Sequence, residues 1–368
     1  MEVCLIGDGL ISLTLAKTLI NNNVKVFMYY KKSKKKASHN RTIGIAPKNL
    51  DFFQKEIIKS KNIFWEISKI EIYDELSKKD KILNFEGSKK TLFSIIKNIN
   101  LYNLLNKELN KNNNFKKIII KDKFFYKKII KNKKYNLIIN CDANNEISNK
   151  YFYRKILKNY ESKAYVTTIN HNKTQNKKAI QIFTKYGPIA FLPISKTQTS
   201  IVYSIKDKTI NNKSDLSQQE FEKLISYNNK HYKIISINKY ETFILKSKTL
   251  RNYYYNNILA FGDMLHQIHP LSGQGFNMSL RDIRVLLNLI RYRENLGLTI
   301  DFSIFEQFEN KTKHLNFIFS SGNDFIYEFF NYNNSYLRPF SKKIFNYLNN
   351  SSLFNKLAFK YANEGLVI

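Results

Sequence analysis

The chain has 368 residues, of which 43% are hydrophobic and 24% charged, close to the average of globular proteins and enough for about two domains. This composition excludes a disordered or fibrous protein, and two cysteines are too few for a disulfide framework. Lysine and arginine exceed aspartate and glutamate by 61 − 29 = 32.

The excess of positive charge comes almost entirely from lysine, because only eight of the 61 cationic residues are arginine. Nucleic-acid sites favour arginine for its planar fork of donors. Asparagine, isoleucine, tyrosine and phenylalanine are also abundant, and all have AT-rich codons. We therefore attribute most of the charge to nucleotide bias of the genome and expect no nucleic-acid partner, with attraction to anionic lipid left open.

The N-terminus predicts no targeting segment, because the apolar run at residues 3–6 is short and is interrupted at Gly7. No stretch of the sequence reaches the roughly 18 apolar residues that span a bilayer. We therefore expect a cytoplasmic protein, with peripheral contact at the inner membrane face as an open alternative.

The first elements predict a β-α-β unit: a buried strand at 3–6, a helix at 10–20 and a strand at 24–29. The pattern over residues 48–130 indicates weak helices joined by Lys- and Asn-rich connections, most clearly a helix at 104–110. Residues 135–141 predict another buried strand.

The second half predicts mainly strands and then helices. Strand-like runs lie at 164–169, 179–184, 189–194, 199–205, 240–246 and 256–261. Helices are predicted at 217–230, at 278–293 with apolar residues on one face, and through most of 302–368. We expect an α/β fold with a Rossmann-type domain (1–157 and 247–300), an inserted β-sheet domain (158–246) and a helical C-terminal region (301–368).

The first motif is the segment 7–12, Gly-Asp-Gly-Leu-Ile-Ser, which lies between the predicted strand and helix and approximates G-x-G-x-x-G. A tight turn at Gly7, a close approach of the backbone at Gly9 and a small Ser12 are typical of dinucleotide binding at a helix N-terminus. Leu10 begins that helix. The acidic residue that normally binds the adenosine ribose is absent, and Tyr30 lies in its place.

The second motif spans residues 258–283, where a short strand leads to Gly262 and Asp263. An aspartate there can accept hydrogen bonds from a polyol. The loop from Pro270 to Gly275 carries two glycines, and we expect Asn277 to begin a helix. A helix N-terminus favours negative charge on a bound group.

This second segment, GD…H…HP…GQG.N…RD, resembles the flavin-binding motif of FAD-dependent aromatic hydroxylases, most closely the UbiH/UbiF-type ubiquinone-biosynthesis hydroxylases. The segment at Asn40–Ile45 resembles the one that places an arginine, here Arg41, beside the flavin. The resemblance implies the cofactor residues Gly7, Gly9, Leu10, Ser12, Tyr30, Arg41, Gly262, Asp263, Pro270, Gly273, Gln274, Gly275, Phe276 and Asn277.

The resemblance also implies the reaction. NAD(P)H reduces FAD, O2 forms a C4a-hydroperoxide, and an oxygen atom passes to the ring of a polyprenylated phenol in ubiquinone biosynthesis. Other ubiquinone-biosynthesis proteins are candidate partners. The resemblance identifies no catalytic base, ring position, prenyl length or oligomeric state.

Two alternatives to this function remain open. A related flavoprotein could act on another aromatic or isoprenoid substrate, and a degenerate flavin-binding subunit could serve as a scaffold. The scaffold stays open because of two departures from the family's pattern: Tyr30 replaces the acidic ribose ligand, and Ala143 replaces a glycine. His266 and His269 lack the accompanying cysteine and histidine ligands of a zinc site, so no metal is expected. For His269, a position near the flavin or substrate and a structural role both remain open.

Overall fold

The computed structural model describes residues 1–32, 40–60, 62–75, 81–86, 91–122, 124–131, 134–207, 215–269 and 273–331. The strands in these ranges are β1 (Glu2–Ile6), β2 (Lys25–Tyr30), β3 (Thr42–Ile45), β4 (Trp65–Ile67), β5 (Lys69–Asp74), β6 (Lys81–Glu86), β7 (Phe93–Lys97), β8 (Phe115–Ile119), β9 (Leu137–Asn140), β10 (Lys155–His171), β11 (Lys178–Thr184), β12 (Gly187–Pro193), β13 (Gln198–Lys206), β14 (Ile234–Ile237), β15 (Glu241–Leu250), β16 (Tyr254–Tyr255), β17 (Ile258–Ala260) and β18 (His266–Gln267). The helices are α1 (Leu10–Ile20), α2 (Pro47–Glu56), α3 (Asn98–Asn110), α4 (Phe125–Lys131), α5 (Glu146–Tyr151), α6 (Gln218–Asn228), α7 (Gly275–Asn295) and α8 (Ile304–Asn331), and a 3₁₀ helix covers Gly262–Met264.

The first sheet confirms the predicted β-α-β opening and has the strand order β16-β17-β9-β1-β2-β8. β1 lies at its centre, where Ile6 pairs in parallel register with Tyr29 on one side and Asn140 on the other. The chain runs outward from β1 through β2 to β8, and then continues on the other side of β1 with β9 and β17. Because the strand order reverses at β1, the carboxyl end of this strand is where such a sheet binds ligands.

The second sheet contains the four predicted strand runs between 160 and 205 as β10 to β13. Its order is β18-β15-β10-β13-β12-β11-β5-β6, with β14 beside β10. Helix α6, with its buried Phe221 and Ile225, packs on the hydrophobic cluster of this sheet. β5 and β6 belong in sequence to the predicted Rossmann-type domain, yet β5 pairs in parallel with β11. The boundaries at 157/158 and 246/247 stay a prediction.

The prediction of weak helices across residues 48–130 was wrong for much of that region, because its described part contains the five strands β4 to β8. The sequence of β5 explains the error. Glu71 lies inside this strand and is only 2% exposed, so the apolar pattern of a buried strand is broken. Its carboxylate is held by Lys178 Nζ at 2.9 Å and by Lys69 Nζ at 3.7 Å.

The C-terminal part of the described chain consists of α7 and α8, which pack against each other. Ile283, Leu286 and Ile290 of α7 are fully buried, as their helical spacing predicts. Phe305 and Phe308 of α8 join the same core. Residues 332–368, where we expect further helix, lie outside the described ranges.

Among the helices that the structure describes, none combines the length and the apolar character that crossing a membrane requires.

Candidate functional site

The loop after β1 has the geometry of an anion site. Gly7 has a φ of +105°, and its N–H donates to the Tyr29 carbonyl at 2.8 Å, which ties the loop to β2. Gly9 precedes α1, and a Cβ atom at this position would meet no atom within 4 Å. The first turn of α1 has no side-chain cap and no acidic residue. The N–H groups at the start of α1 are therefore available to a phosphate.

Leu10 and Ser12 lie in the first turn of α1. Leu10 is half-buried, whereas Ser12 is 1% exposed and hydrogen-bonds the Cys141 thiol after β9. A small residue at position 12 thus allows α1 to pack closely against the sheet, as the sequence predicts. Tyr30 ends β2, half-buried, with the Lys117 ammonium 4.7 Å from the centre of its ring.

The turn at Gly262 and Asp263 lies against the first turn of α1. Gly262 has a φ of +65°, and a Cβ atom there would be 2.9 Å from Cγ2 of Ile11. The Phe261 N–H donates to the Asn140 carbonyl at 2.9 Å, so β17 and β9 end together. Asp263 itself is exposed. Its carboxylate therefore lies at the same sheet edge as the start of α1.

A buried amide network shapes the connection after β9. Asn140 is fully buried; its Oδ1 accepts from the Asn145 amide at 2.8 Å, and its Nδ2 donates to Ser148 Oγ at 2.9 Å. Asn145 also caps α5 by accepting from the Ser148 N–H at 2.9 Å. The sequence indicates only a strand followed by polar residues here. The network fixes Asp142, whose Cβ lies 3.3 Å from where a Gly7 side chain would begin.

The loop that leads into α7 contains two further open glycines. Gly273 has a φ of +61°, and Cβ atoms at Gly273 and Gly275 would meet nothing within 4 Å. Helix α7 begins at Gly275, two residues before the predicted Asn277, and Gln274 makes no capping hydrogen bond. The first turn of α7 contains no acidic residue. Pro270 lies outside the described residues.

Asn277 differs in character from these open positions, because its side chain is buried and bonded to the protein. Its Oδ1 accepts from the Ala46 N–H at 2.9 Å and from Asn49 Nδ2 at 3.0 Å, and its Nδ2 donates to the Gly44 carbonyl at 2.9 Å. The amide therefore joins the start of α7 to β3 and α2. Phe276, beside it, is half-buried against the main core.

We expect Asn277→Ala to lower the free energy of unfolding by about 2–4 kcal/mol, because the buried Ala46 N–H and Gly44 carbonyl lose their partner. Urea denaturation of the purified variant measures this loss. Asn49→Ala is the matched control and should cost less, since Asn277 then keeps its bonds to Gly44 and Ala46. Equal losses in the two variants would contradict the joining role of Asn277.

Arg41 directly precedes β3 of the third sheet (β3-β7-β4), and the next residue, Thr42, hydrogen-bonds Ser200 on β13 of the second sheet at 3.3 Å. It is exposed, and its guanidinium carbon is 5.1 Å from the centre of the Phe243 ring on β15. Next to it, the Asn40 amide donates to the Lys239 carbonyl at 2.8 Å. The structure thus places Arg41 at the boundary with the second sheet.

Two histidines near this loop have partners that the sequence does not predict. His266 Nε2 lies 2.6 Å from Asp282 Oδ2, and both side chains are almost fully buried. Asp282 Oδ1 accepts from the Asn316 amide at 3.0 Å. This contact connects β18, α7 and α8 directly before the loop with the open glycines.

His269 is fully buried between the rings of Tyr160 and Tyr327, whose centres lie 4.8 and 4.2 Å from its own. Its backbone carbonyl accepts from the Asn323 amide at 3.2 Å. Burial lowers the pKa of His269 from 6.5 to about 3, because the charged ring would lose its hydration. The imidazole is therefore neutral at physiological pH.

This low pKa predicts an acid sensitivity. Above pH 6.5 the His269 ring is neutral in the folded and in the unfolded protein. Below pH 6.5 the ring takes up a proton in the unfolded protein, whereas in the folded protein it stays neutral down to about pH 3, so folding becomes less favourable. Between pH 7 and pH 5 the wild type should lose about 2 kcal/mol more than His269→Phe, which cannot take up that proton. Urea titrations at both pH values measure this difference. Parallel losses in the two proteins would refute it.

Most of the predicted residues form one region at the carboxyl edge of the first sheet. The turn at Gly262 contacts Ile11 in the first turn of α1, directly after the loop with Gly7 and Gly9, and α7 packs on α1. Within the described residues, no group of three or more histidine, cysteine, aspartate or glutamate side chains could hold a metal ion. The arrangement offers two uncapped helix N-termini for anions, and the exposed Asp263 carboxylate can accept from hydroxyl groups.

Curated relatives match about half of the chain or less. A 3-demethoxyubiquinol 3-hydroxylase of Escherichia coli is 27% identical over 158 residues, which are 42% of this chain and 40% of that protein. The ubiquinone hydroxylase UbiL of Rhodospirillum rubrum is 25% identical over 133 residues, 36% of this chain and 31% of the relative. The match thus spans less than half the length of either relative.

Solved structures match the whole chain at low identity. The p-nitrophenol 4-monooxygenase PnpA of Pseudomonas putida has a TM-score of 0.75 at 12% identity and covers 100% of both chains. A 2-methyl-3-hydroxypyridine-5-carboxylic acid oxygenase has a TM-score of 0.69 at 10% identity, covering 99% of this chain and 96% of its own. These matches confirm the predicted fold of an aromatic hydroxylase.

The family model described as squalene epoxidase matches residues 134–360, which is more than half of the chain. The matched region includes β9, the strands β10 to β15 of the second sheet, the turn at Gly262 and the start of α7. The chain belongs to the squalene epoxidase family.

Proposed function

We propose that the chain binds FAD and hydroxylates the aromatic ring of a polyprenylated phenol in ubiquinone biosynthesis, with NAD(P)H as electron donor and O2 as oxidant. The names of the relatives support this substrate class. The observation that carries the proposal is the set of three glycines, Gly9, Gly273 and Gly275, whose missing side chains leave open space at two uncapped helix N-termini.

These residues fit FAD as follows. The N–H groups at the start of α1 would bind the pyrophosphate, since Gly9 leaves room and no acidic residue of that turn opposes it. Asp263 would accept hydrogen bonds from the ribityl chain. The N–H groups at Gly275, Phe276 and Asn277 would face the flavin ring and favour negative charge on it. Bound FAD would supply the oxygen activation, which no side chain can provide.

The other predicted residues would act around the ring. Asn277 would hold the start of α7 in place through Gly44 and Ala46 rather than contact the ring with its own amide. Arg41, Gln274 and Pro270 are proposed to lie beside the flavin, and the second sheet to hold the phenol. A closed site would keep water from the reacting oxygen.

The test is the absorption spectrum of the purified protein, followed by the spectrum of the supernatant after heat denaturation. Visible flavin bands and released FAD are expected. Expression in hydroxylase-deficient bacteria should then restore a ring-hydroxylated quinone intermediate. A colourless protein that fails to take up added FAD would overturn the proposal.

A second candidate activity is oxygen transfer to an isoprenoid double bond, and the match to the squalene epoxidase model favours it. Product analysis separates the two, because ring hydroxylation adds a further hydroxyl group to the aromatic ring of the phenol, whereas epoxidation yields an oxirane on the prenyl chain. A flavin-binding scaffold predicts neither product and no substrate-dependent oxidation of NAD(P)H.

We further propose that the protein works in the cytoplasm and contacts the inner membrane face, where a prenylated substrate would reside. Phe317, Ile318 and Phe325 of α8 are about half exposed or more and give this helix an apolar outer side. The alternative is that the apolar side of α8 binds another ubiquinone-biosynthesis protein instead of the membrane. Flotation with anionic liposomes at low salt tests the membrane contact; a protein that stays unbound refutes it.

A further inference from the structure

The adenosine end of the proposed FAD site lacks its usual acceptor. An acidic residue at the end of the second strand commonly binds the ribose hydroxyl groups. Here β2 ends at Tyr30, and two lysines follow it in sequence. If the chain binds FAD, as the proposed function requires, another group must satisfy the ribose diol or leave it to water.

Asp8 places a carboxylate close to this position, although it belongs to the loop after β1. Its Oδ2 is 3.3 Å from Lys117 Nζ, and that ammonium lies 4.7 Å from the centre of the Tyr30 ring. The hydroxyl of Tyr102 also hydrogen-bonds the carboxylate. The bond from the Gly7 N–H to the Tyr29 carbonyl holds the loop against the end of β2.

The carboxylate of Asp8 still has room for a ligand. Two oxygens offer about four acceptor positions, of which Lys117 and Tyr102 occupy two. The Asp8 side chain is 32% exposed, whereas Lys117 behind it is 18% exposed. Beside it, Gly9 borders the open space at the start of α1.

Lys117 also removes an electrostatic difficulty. A carboxylate next to a helix N-terminus competes with a pyrophosphate for the same positive field and repels it. The ammonium of Lys117, 3.3 Å from Asp8, compensates that negative charge. The pair therefore presents acceptor oxygens without a net negative charge.

We propose that Asp8 binds the ribose hydroxyl groups of the adenosine half of FAD, in place of the acidic residue missing at the end of β2, and that Lys117 and Tyr102 position its carboxylate. Tyr30 packs beside this subsite. The proposal rests on the proposed function, because it concerns how FAD is bound.

The experiment compares two ligands, FAD and riboflavin 5′-phosphate, which lacks the adenosine half. Affinities for the apoprotein are measured by flavin fluorescence for the wild type, Asp8→Ala and Asp8→Asn. Asp8→Ala should weaken FAD about tenfold to a hundredfold, while riboflavin 5′-phosphate should bind within about twofold of wild type. Asp8→Asn keeps one acceptor oxygen, so its affinity for FAD should lie between those of the wild type and Asp8→Ala. Asp51→Ala, an exposed aspartate on α2, is the matched control and should change neither affinity.

Each outcome decides the proposal. A loss confined to FAD supports the ribose subsite. Equal losses of affinity for both ligands, or no loss for either, overturn the ribose subsite but not the proposed function, because the wild type still binds FAD. A wild-type protein that binds neither ligand overturns the proposed function together with the subsite. Urea denaturation of the apoproteins shows whether each variant is folded.

Discussion

Gly9→Asp should lower the affinity for FAD at least about a hundredfold. The free energy of unfolding of the apoprotein should stay unchanged or rise by about 0.3–1 kcal/mol. The two effects have opposite signs because the position is both a helix N-cap and an open space. The backbone of Gly9, with φ −67° and ψ 170°, suits an aspartate cap, and its Cβ would meet no atom within 4 Å. The new carboxylate would occupy the pyrophosphate position and repel it.

Flavin fluorescence titration and urea denaturation measure the two effects on the same preparations. Gly9→Ser adds a cap without a charge, so its smaller loss of affinity separates lost space from repulsion. Gly262→Ala is the opposite control: its φ of +65° and the 2.9 Å approach to Ile11 predict a loss of stability of about 1–3 kcal/mol. If Gly9→Asp bound FAD within threefold of wild type, the phosphate site would lie elsewhere.

The sequence predicts an element well when all the residues that determine the element lie within one short segment of the chain. The glycines of the loop after β1 and the helical spacing of α1 lie in one short segment, and the structure places them together. The same holds for α7, although its first residue is Gly275 rather than Asn277. A capping preference does not decide this start, because the preceding backbone at Gln274 is already helical, with φ −89° and ψ −6°.

The parts that the sequence does not predict depend on partners far apart in the chain. The sequence does not predict β5, because Glu71 breaks its apolar pattern and only the folded sheet brings Lys178 to the Glu71 carboxylate. Asp8 and Lys117 likewise meet only when β8 joins β2. The side-chain amide of Asn277 hydrogen-bonds Gly44 and Ala46 only when α7 packs against β3 and α2. A local pattern shows the polar residue in each case but not the group that satisfies it.

The buried contact between His266 and Asp282 gives the second large expected effect. Asp282→Leu should lower the free energy of unfolding by about 3–5 kcal/mol, because His266 and Asn316 would both remain buried without their acceptor. Asp282→Asn keeps one acceptor oxygen and should cost about half as much. Urea denaturation of the apoproteins measures each loss.

Helix α7 itself provides the matched comparison for Asp282. Arg291 pairs with Glu56 at 2.6 Å, the same separation, but the two side chains are 40% and 13% exposed, whereas those of His266 and Asp282 are 1% and 2% exposed. Arg291→Met should therefore cost less than about 1 kcal/mol, since water replaces the lost partner. If Asp282→Leu cost no more than Arg291→Met, the buried contact would not hold β18 to α7. The loop that carries Gly273 and Gly275 would then need another anchor, because β18 is the last strand before it.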